Sequence, residues 1–417
     1  MFQLLKSRVM DKIGKTGKNI ILVFIIQGSI AVFSLLTSIA VGRFYNKEIL
    51  GYYSYFLSLT GLIALFAIPG VKHAVARLLS EKEDYALDVY KKSLIVGLVG
   101  SIVTLPLFWI VTNYLGVNPP VKHFFLFIMG FTVVNILVAI NRNLLRGTQK
   151  IILSSGQELI ARITTLVVIA MASLAFLDPY WVFLGLIIGF FVQAVFQGFS
   201  LKPYMKKGLK ISYSYFSRNL LLFFFVAVST VGIYAIDRLS ISYVMDFVNL
   251  GQFEAFSNLI NIIRMIAFVL PYVLIPMAVK SRYQIKKSFV KIIGFLFPFA
   301  VTIGALSFVF VPILFGQEFA LPFSSPLPWL LVISTSSLVI FSFFNSILMG
   351  ENQFSKGLLK VAGMDAFLSI VVNLGLNLFF IQKLGLIGAP IATITVLWMK
   401  ILLNVSVLKV KRDKLTS

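Results

Sequence analysis

The sequence predicts an all-α integral membrane protein with about twelve transmembrane helices arranged as two six-helix bundles. Hydrophobic residues make up 59% of its 417 residues and charged residues only 12%, whereas soluble domains average about 25% charged residues. Apolar runs of about 18 residues or more recur along the chain, and each is long enough to cross the roughly 30 Å hydrocarbon core as a helix. The sequence pattern lacks the short alternating strands of a membrane β-barrel.

The apolar runs predict the helices in order, and the first run follows a basic N-terminus. That arrangement resembles a signal peptide, but the run exceeds the roughly 7–15 residues of a signal-peptide core and lacks a small-residue cleavage pattern. We therefore interpret it as the first membrane helix. The predicted spans are 19–42, 50–70, 92–115, 123–147, 157–177, 180–201, 219–244, 251–279, 288–314, 327–350, 357–382 and 388–408.

The distribution of basic residues predicts that both termini lie in the cytoplasm. With an even number of spans the two ends share one side, and most of the 37 lysines and arginines fall on that side. Positive charge marks the cytoplasmic face of membrane proteins. The net charge of +22 therefore indicates topology and attraction to anionic membrane lipids rather than nucleic-acid binding. The basic residues outside this set are Arg43, Lys47, Lys122, Arg238 and Lys383, on the opposite face, and Arg264, within a helix.

Similar motifs recur in the two halves of the chain and predict an internal duplication. Each pair occurs in the same order and at a nearly constant interval. Because each half has six predicted spans, the halves share one orientation, and a transport site between them is expected. The paired motifs are 50–55 with 250–256, 68–69 with 270–271, and 145–149 with 348–353. The predicted domains are an N-terminal bundle at 1–201, a cytoplasmic linker at 202–218 and a C-terminal bundle at 219–417.

Composition and motifs argue against most catalytic classes. The chain has no cysteine, so disulfides, thiolate metal sites and a cysteine nucleophile are excluded. His73 and His123 are far apart at predicted helix ends, which disfavours a histidine metal site. No G-x-x-x-x-G-K-[ST] phosphate loop occurs, which disfavours ATP-driven pumping by this chain. The predicted outward loops are too short for the acidic active site of a membrane glycosyltransferase or polymerase, and we predict neither an enzyme nor a bound cofactor.

The predicted eighth helix carries the first substrate-site candidate, Arg264, about half-way across. An arginine at that depth is costly unless it faces a polar interior. Glu254, Ser257, Asn261 and Arg264 share one helix face, so we expect this stripe to line a water-filled cavity, with Arg264 and Asn261 contacting substrate. The alternative is a structural ion pair between Arg264 and an acid such as Asp237 or Glu254.

Two further substrate-site candidates lie nearer the cytoplasmic side. Gln27 belongs to a polar stripe on the first helix, where it could contact a headgroup, although small polar stripes more often permit close helix packing. Arg142 ends the fourth helix, where it could collect phosphate at the cavity mouth. Snorkelling of its side chain to the membrane interface is the alternative.

Three residues are candidates for coupling transport to H⁺ or Na⁺. Asp237 lies on the seventh helix, where it could bind a proton or cation or take part in a salt bridge. Asp365, Ser369, Asn373 and Asn377 recur every four residues on the eleventh helix. Such a stripe offers Na⁺ hard oxygen ligands, and we take Asp365 and Asn373 as the candidates there. Interhelical hydrogen bonding is the alternative function of the stripe.

The stretch 372–393, VNLGLNLFFIQKLGLIGAPIAT, resembles the helix 11–12 hairpin of the polysaccharide flippases. These Wzx-type O-antigen and lipid-linked oligosaccharide flippases belong to the multidrug/oligosaccharidyl-lipid/polysaccharide (MOP) exporter superfamily. The Asp237-Arg238 pair, the following Gly251-x-Phe motif and the glycine-to-glutamine turns at 147–149 and 350–353 are also similar to that group. Pro390 departs from the pattern at a position that is usually small, and a proline is well tolerated in the first turn of a helix.

The resemblance implies two bundles in a V around a central cavity, as in the MATE and other MOP exporters. It implies alternating access that moves a polyprenyl-diphosphate-linked oligosaccharide across the cytoplasmic membrane for the synthesis of cell-surface polysaccharide such as lipopolysaccharide. The expected partners are this lipid-linked substrate, membrane lipids and the polysaccharide polymerase and glycosyltransferase machinery, with no nucleic acid. Arginine suits a diphosphate headgroup because its planar guanidinium binds phosphate oxygens in pairs.

Other functions remain open at this stage. The same fold serves cation-coupled multidrug or metabolite antiporters, and fold does not determine function. Such an antiporter would need an acidic or neutral cavity for cationic drugs, whereas Arg264 favours an anionic ligand. A lipid II-type flippase is a further alternative, although that branch typically has fourteen spans. A non-transporting membrane scaffold would leave the polar stripes unexplained.

Overall fold

The computed structural model describes residues 15–114, 124–176, 178–205, 208–280, 283–351 and 356–416, and these are nearly all helical. The helices of the first half, with their bounds, are α1 Lys15–Phe44, α2 Lys47–Ala67, α3 Val71–Glu81, α4 Ala86–Tyr114, α5 Phe124–Gly147, α6 Ile151–Ala175 and α7 Tyr180–Leu201. The helices of the second half are α8 Tyr213–Val244, α9 Phe247–Lys280, α10 Tyr283–Phe315, α11 Leu327–Glu351, α12 Lys356–Phe367, α13 Asn373–Leu384 and α14 Gly388–Thr416.

The fold is that of a multi-pass membrane protein, as predicted. Within the described ranges, nine helical segments are long and apolar enough to cross a membrane, and a bent helix pair in α8 makes a tenth. One of these segments, Val361–Val407, is 47 residues long and covers most of the predicted eleventh and twelfth spans together. The count of twelve spans stays a prediction, as do the domain boundaries at 202–218.

The basic connection after the second predicted span forms the short helix α3. Its mean hydropathy is near zero, but its apolar side chains share one face and are buried. The connection after the second predicted span therefore begins with an amphipathic helix. The buried residues, Val71, Ala74, Val75, Leu78 and Leu79, pack with α5 and α8.

Helices α2 and α9 join the two halves where the duplicated motifs meet. A Cβ atom added to Gly51 would lie 1.9 Å from the carbonyl oxygen of Phe247, and one added to Gly251 would lie 1.9 Å from that of Lys47. Only glycine allows backbones to approach this closely. The ring of Tyr52 stacks on that of Phe247 with centroids 3.7 Å apart. The duplicated glycines therefore form a reciprocal contact between the halves.

Two irregular helical segments face each other in the second half. Helix α8 bends by 50° between the parts that end at Ser229 and begin at Gly232. Opposite it, a π-helical turn, Leu368–Val372, links α12 to α13. Bends and π-turns free backbone carbonyls from the regular helical hydrogen bonds, and they often occur at functional sites.

Candidate functional site

An arginine cluster surrounds one carboxylate in the first half. Arg142 Nη1 lies 3.0 Å from Glu158 Oε1, and Arg146 Nη2 lies 3.8 Å from Glu158 Oε2. Arg162, one helical turn after Glu158, adds its field to the same carboxylate and has its guanidinium 5.1 Å from the ring centroid of Phe190. Among the described residues, three arginines thus surround one buried carboxylate, that of Glu158.

The arginine cluster retains hydrogen-bonding capacity toward an anion. The Nε atoms of Arg142 and Arg162 are buried and have no hydrogen-bond partner within the described ranges. Gln27 lies beside the cluster, because its Nε2 donates to Ser155 Oγ at 3.2 Å, and Ser155 precedes Glu158 by about one turn of α6. The structure therefore brings two predicted substrate-site residues, Gln27 on α1 and Arg142 on α5, to neighbouring positions beside α6.

A buried ion pair in the second half, between Arg238 and Glu254, is hydrogen-bonded to a residue of the first half. Arg238 Nε lies 2.8 Å from Glu254 Oε2, and Ser54 Oγ donates to the same oxygen at 2.9 Å. Arg238 Nε also contacts Ser54 Oγ at 3.0 Å. The sequence predicts that Arg238 lies toward the outward face, and that assignment stays a prediction. The side chain of Arg238 is 13% exposed, because it pairs with Glu254 on α9.

Arg264 lies beside this pair and packs on an aromatic ring. Its guanidinium carbon is 3.6 Å from the ring centroid of Tyr234 on α8, a cation–π contact that helps to hold a partly desolvated arginine. Arg264 and Asn261 are half-buried, whereas Glu254 and Ser257 are buried. The predicted stripe thus divides, with Glu254 held in the ion pair and Arg264 over Tyr234. Roles in substrate binding for Arg264 and Asn261 stay predictions.

A carboxylate cluster forms around Asp237, which is buried. Asn377 Nδ2 donates to Asp237 Oδ1 at 2.9 Å and Asn373 Nδ2 donates to it at 3.3 Å. Thr393 Oγ1 donates to Asp237 Oδ2 at 2.5 Å. The side chains come from α8, α13 and α14, and all four are at most 3% exposed. The sequence analysis placed Asp237 and Asn373 on separate helices as coupling candidates, and the fold brings them together.

The carboxylate cluster has the donor set of a monovalent cation site. Asn377 Oδ1 is buried and has no hydrogen-bond partner among the described residues, so a buried acceptor is available next to the carboxylate. Carboxylate, amide and hydroxyl oxygens are the ligands that hard cations prefer. Within the described ranges no three His, Asp or Glu side chains come together. One carboxylate among neutral oxygens suits one positive charge rather than two.

Asp365 belongs to a different group, the lysine cluster, which includes a residue that sequence reasoning missed. Lys400 on α14 is 0% exposed, and its Nζ donates to Ser229 Oγ at 2.8 Å and to Ser369 Oγ at 2.9 Å. Asp365, also buried, exerts its field on this ammonium. Asp365 and Asn373 therefore lie in different clusters, and the role of each in ion coupling stays a prediction. The sequence analysis counted Lys400 with the cytoplasmic C-terminus, although its position inside an apolar run was a signal.

Comparison with known proteins supplies the family. A model of the family described as "Polysaccharide biosynthesis protein" matches residues 16–282, which is more than half of the chain. The chain belongs to the polysaccharide biosynthesis protein family. No curated protein sequence matches it significantly.

Solved structures similar to this family member confirm the predicted MOP fold. An inward-facing multidrug resistance MATE transporter of the MOP superfamily superposes with a TM-score of 0.68 at 16% identity, covering 94% of this chain and 99% of that one. The lipid II flippase MurJ, in an inward closed conformation, gives 0.70 at 17% identity, covering 93% and 87%. A MOP superfamily transporter from Pyrococcus furiosus gives 0.57 at 16% identity, covering 95% of both chains. At these identities the likeness establishes the fold alone.

Proposed function

We propose that this protein is a flippase that moves a polyprenyl-diphosphate-linked oligosaccharide across the cytoplasmic membrane by alternating access, without catalysing a covalent reaction. The proposal places both termini in the cytoplasm. It makes membrane lipids and the polysaccharide polymerase and glycosyltransferase machinery the neighbours of the protein. The family assignment supports the polysaccharide context, and the fold supports transport.

The observation that carries the proposal is the clustering of arginines inside the helices. Arg142, Arg146 and Arg162 lie around the carboxylate of Glu158, and Arg264 lies over the ring of Tyr234 beside the Arg238–Glu254 pair. Clustered positive charge in a low-dielectric interior is costly. A diphosphate would offset that cost, and guanidinium groups can bind its oxygens in pairs. This charge balance favours an anionic headgroup over a cationic drug.

Coupling to Na⁺ is the second part of the proposal. A Na⁺ ion at the carboxylate cluster would bind the carboxylate of Asp237. Rotation of the side-chain amides of Asn373 and Asn377 would turn their oxygens toward the ion, and the hydroxyl of Thr393 would be a further oxygen ligand. The cluster joins α8 to α13 and α14, so that occupation of the site would change how these helices pack. Cation binding could therefore bias the equilibrium between inward-open and outward-open states.

Flipping of a fluorescent polyprenyl-diphosphate oligosaccharide in proteoliposomes tests the proposal, with wild type beside Arg264→Ala and Arg264→Lys. We expect flipping by wild type, its loss in Arg264→Ala and partial retention in Arg264→Lys, which keeps the charge without the paired donors. Lys383→Ala is the matched control, because Lys383 is an exposed basic residue at a helix end, and its flipping rate should equal that of wild type.

Each outcome separates the alternatives. Full activity of Arg264→Ala would keep the flippase but assign Arg264 a structural role. Failure of wild type to flip the lipid, together with export of cationic dyes, would identify a drug antiporter of the same fold. Flipping of lipid II in preference to other diphosphate-linked saccharides would identify a lipid II-type flippase.

A further inference from the structure

The lysine cluster holds a fully buried ammonium in a cage of uncharged oxygens. The Nζ of Lys400 contacts the carbonyl oxygen and the hydroxyl of Ser229 at 3.0 and 2.8 Å, and the hydroxyl of Ser369 at 2.9 Å. The face of Phe341 lies on another side of it, with the ring centroid 4.1 Å away. A charge buried in this way costs several kcal/mol unless an opposite charge balances it. A purely structural contact between helices would need no charge here.

The balancing charge, Asp365, does not contact the ammonium directly. Ser369, one turn later, bonds back to the Asp365 carbonyl at 2.7 Å and also donates to the Ser229 carbonyl at 3.0 Å. The Oδ1 atom of Asp365 is buried without a hydrogen-bond partner among the described residues. Lys400 and Asp365 are therefore a separated pair of opposite charges. Among the described residues, Asp365 is the charged group whose field acts on Lys400.

The lysine and carboxylate clusters use the same three helical elements. Ser229 and Asp237 both lie on α8, and Lys400 and Thr393 both lie on α14. Asp365 and Ser369 lie on the segment that runs through the π-helical turn to Asn373 and Asn377. Ser229 and Asp237 are eight residues apart, which is about 12 Å along a helix. Asp365 and Asn373 have the same spacing. Both charges of the pair therefore lie about two turns from the carboxylate cluster, with apolar side chains around them.

We propose that the buried Lys400–Asp365 pair sets the affinity of the Asp237 cluster for its coupling cation. The ammonium repels a cation at Asp237, and the Asp365 carboxylate attracts it. Because the two electrostatic contributions nearly cancel, the affinity lies between the tight binding that Asp365 alone would give and the weak binding that Lys400 alone would give. The ion can then both bind and leave. The inference rests on the proposed cation coupling and goes further, because it assigns the function to charges that do not touch the ion.

The proposal predicts effects of opposite sign for two neutralising substitutions. Lys400→Met removes the repulsive charge and should tighten Na⁺ binding about tenfold, the effect of one unit charge at about 12 Å with an effective dielectric constant near 20. Asp365→Asn removes the attractive charge and should weaken Na⁺ binding by a similar factor. The double variant should return to within about threefold of wild type, because the two charge terms then cancel.

Binding of radiolabelled Na⁺ to the purified full-length protein measures these affinities without any lipid substrate. Lys400→Arg keeps the charge and should not tighten binding. Lys383→Met is the matched control for charge loss, because Lys383 is exposed on α13 and solvent screens it. If Lys400→Met does not yield folded protein, Lys400→Gln removes the same charge while retaining a donor, and it must also tighten binding.

The outcomes distinguish this inference from the coupling proposal. Opposite shifts for the two single variants support it, because damage to the structure could weaken binding but could not tighten it. Weakening by both variants, or no change in either, would overturn the inference and leave the Asp237 site intact. An absence of Na⁺ binding by wild type would overturn both.

Discussion

The arginine cluster and the carboxylate cluster occupy opposite halves of the chain and have opposite charge balance. In the first half, three arginines share Glu158. In the second half, neutral amides and a hydroxyl surround Asp237. The former suits an anion and the latter suits a cation. Under the proposed function, the arginine cluster would bind the anionic substrate and the carboxylate cluster would bind the coupling ion.

The intervals between the repeated motifs pair residues of different charge in the two halves. At the interval that relates Gly51 to Gly251, Thr37 on α1 corresponds to Asp237, so the first half lacks the carboxylate. At the interval that relates Gly147 to Gly350, Arg162 corresponds to Asp365 and Gln197 corresponds to Lys400. The first half therefore has Arg162 and Gln197 at the positions that correspond to Asp365 and Lys400 in the second half. Gln197 is buried there, with both its amide atoms unpartnered among the described residues.

The largest effect is expected where the halves are still equivalent, at the reciprocal glycine contact. Gly51→Ala and Gly251→Ala each place a Cβ 1.9 Å from a backbone carbonyl oxygen, and backbone cannot move aside as a flexible side chain can. Each should lower stability by about 3 kcal/mol or more, seen as a fall in melting temperature of the purified protein. Gly61→Ala on the same helix has nothing within 4 Å of its added Cβ and should be neutral or stabilising. Unequal falls in melting temperature for the two variants would show that the two glycine contacts are not equivalent.

Asp237→Asn should produce the next largest effect, on ion binding alone. Loss of a buried carboxylate ligand should weaken Na⁺ binding on the order of 100-fold, since hydrogen bonds and contacts to a charged group are the strong ones. The substituted amide still fits among its neighbours, so we expect the melting temperature without Na⁺ to be preserved. Asp246→Asn is the control, because Asp246 is an exposed helix cap whose function asparagine retains. Undiminished Na⁺ binding by Asp237→Asn would place the cation elsewhere.

Arg162→Gln should weaken the binding of an anion and leave the binding of Na⁺ unchanged. Removing one of three arginines around Glu158 should weaken binding of inorganic pyrophosphate about tenfold, as expected for one charge-assisted contact. Na⁺ binding should not change, because the two clusters belong to different helices. Isothermal titration with each ligand measures both affinities on the same preparation. If pyrophosphate affinity fell equally in Asp237→Asn, the clusters would not be functionally separate.

Ser54→Ala should produce the smallest effect. Ser54 is the first-half residue that bonds to the Arg238–Glu254 pair, and that pair stays intact without it. We expect a loss of stability of about 1 kcal/mol, typical of one hydrogen bond, and a melting temperature a few degrees lower. Ser58→Ala, one turn further along α2, provides a matched control. A loss as large as that of a glycine variant would mean that the ion pair itself depends on Ser54.

The sequence alone determined that this is a helical membrane protein, because each span must satisfy its own backbone and bury an apolar surface in lipid. It also identified Asp237, Asn373 and Arg264 as unusual, because polar groups within apolar runs are costly wherever they lie. Gly51 and Gly251 could also be identified from the sequence, because the motif that contains them occurs in both halves of the chain.

Only the tertiary structure decided which of these polar groups meet. Asp237 and Asn377 are 140 residues apart, and helical periodicity shows which residues share a face but not which helix that face contacts. Basic residues were assigned to membrane faces from their position along the chain, Lys400 with the cytoplasmic C-terminus and Arg238 with the outward face. The structure gives each a partner on a neighbouring helix, Glu254 for Arg238 and the Ser229 and Ser369 hydroxyls for Lys400, and these partners lower the cost of desolvating the charges.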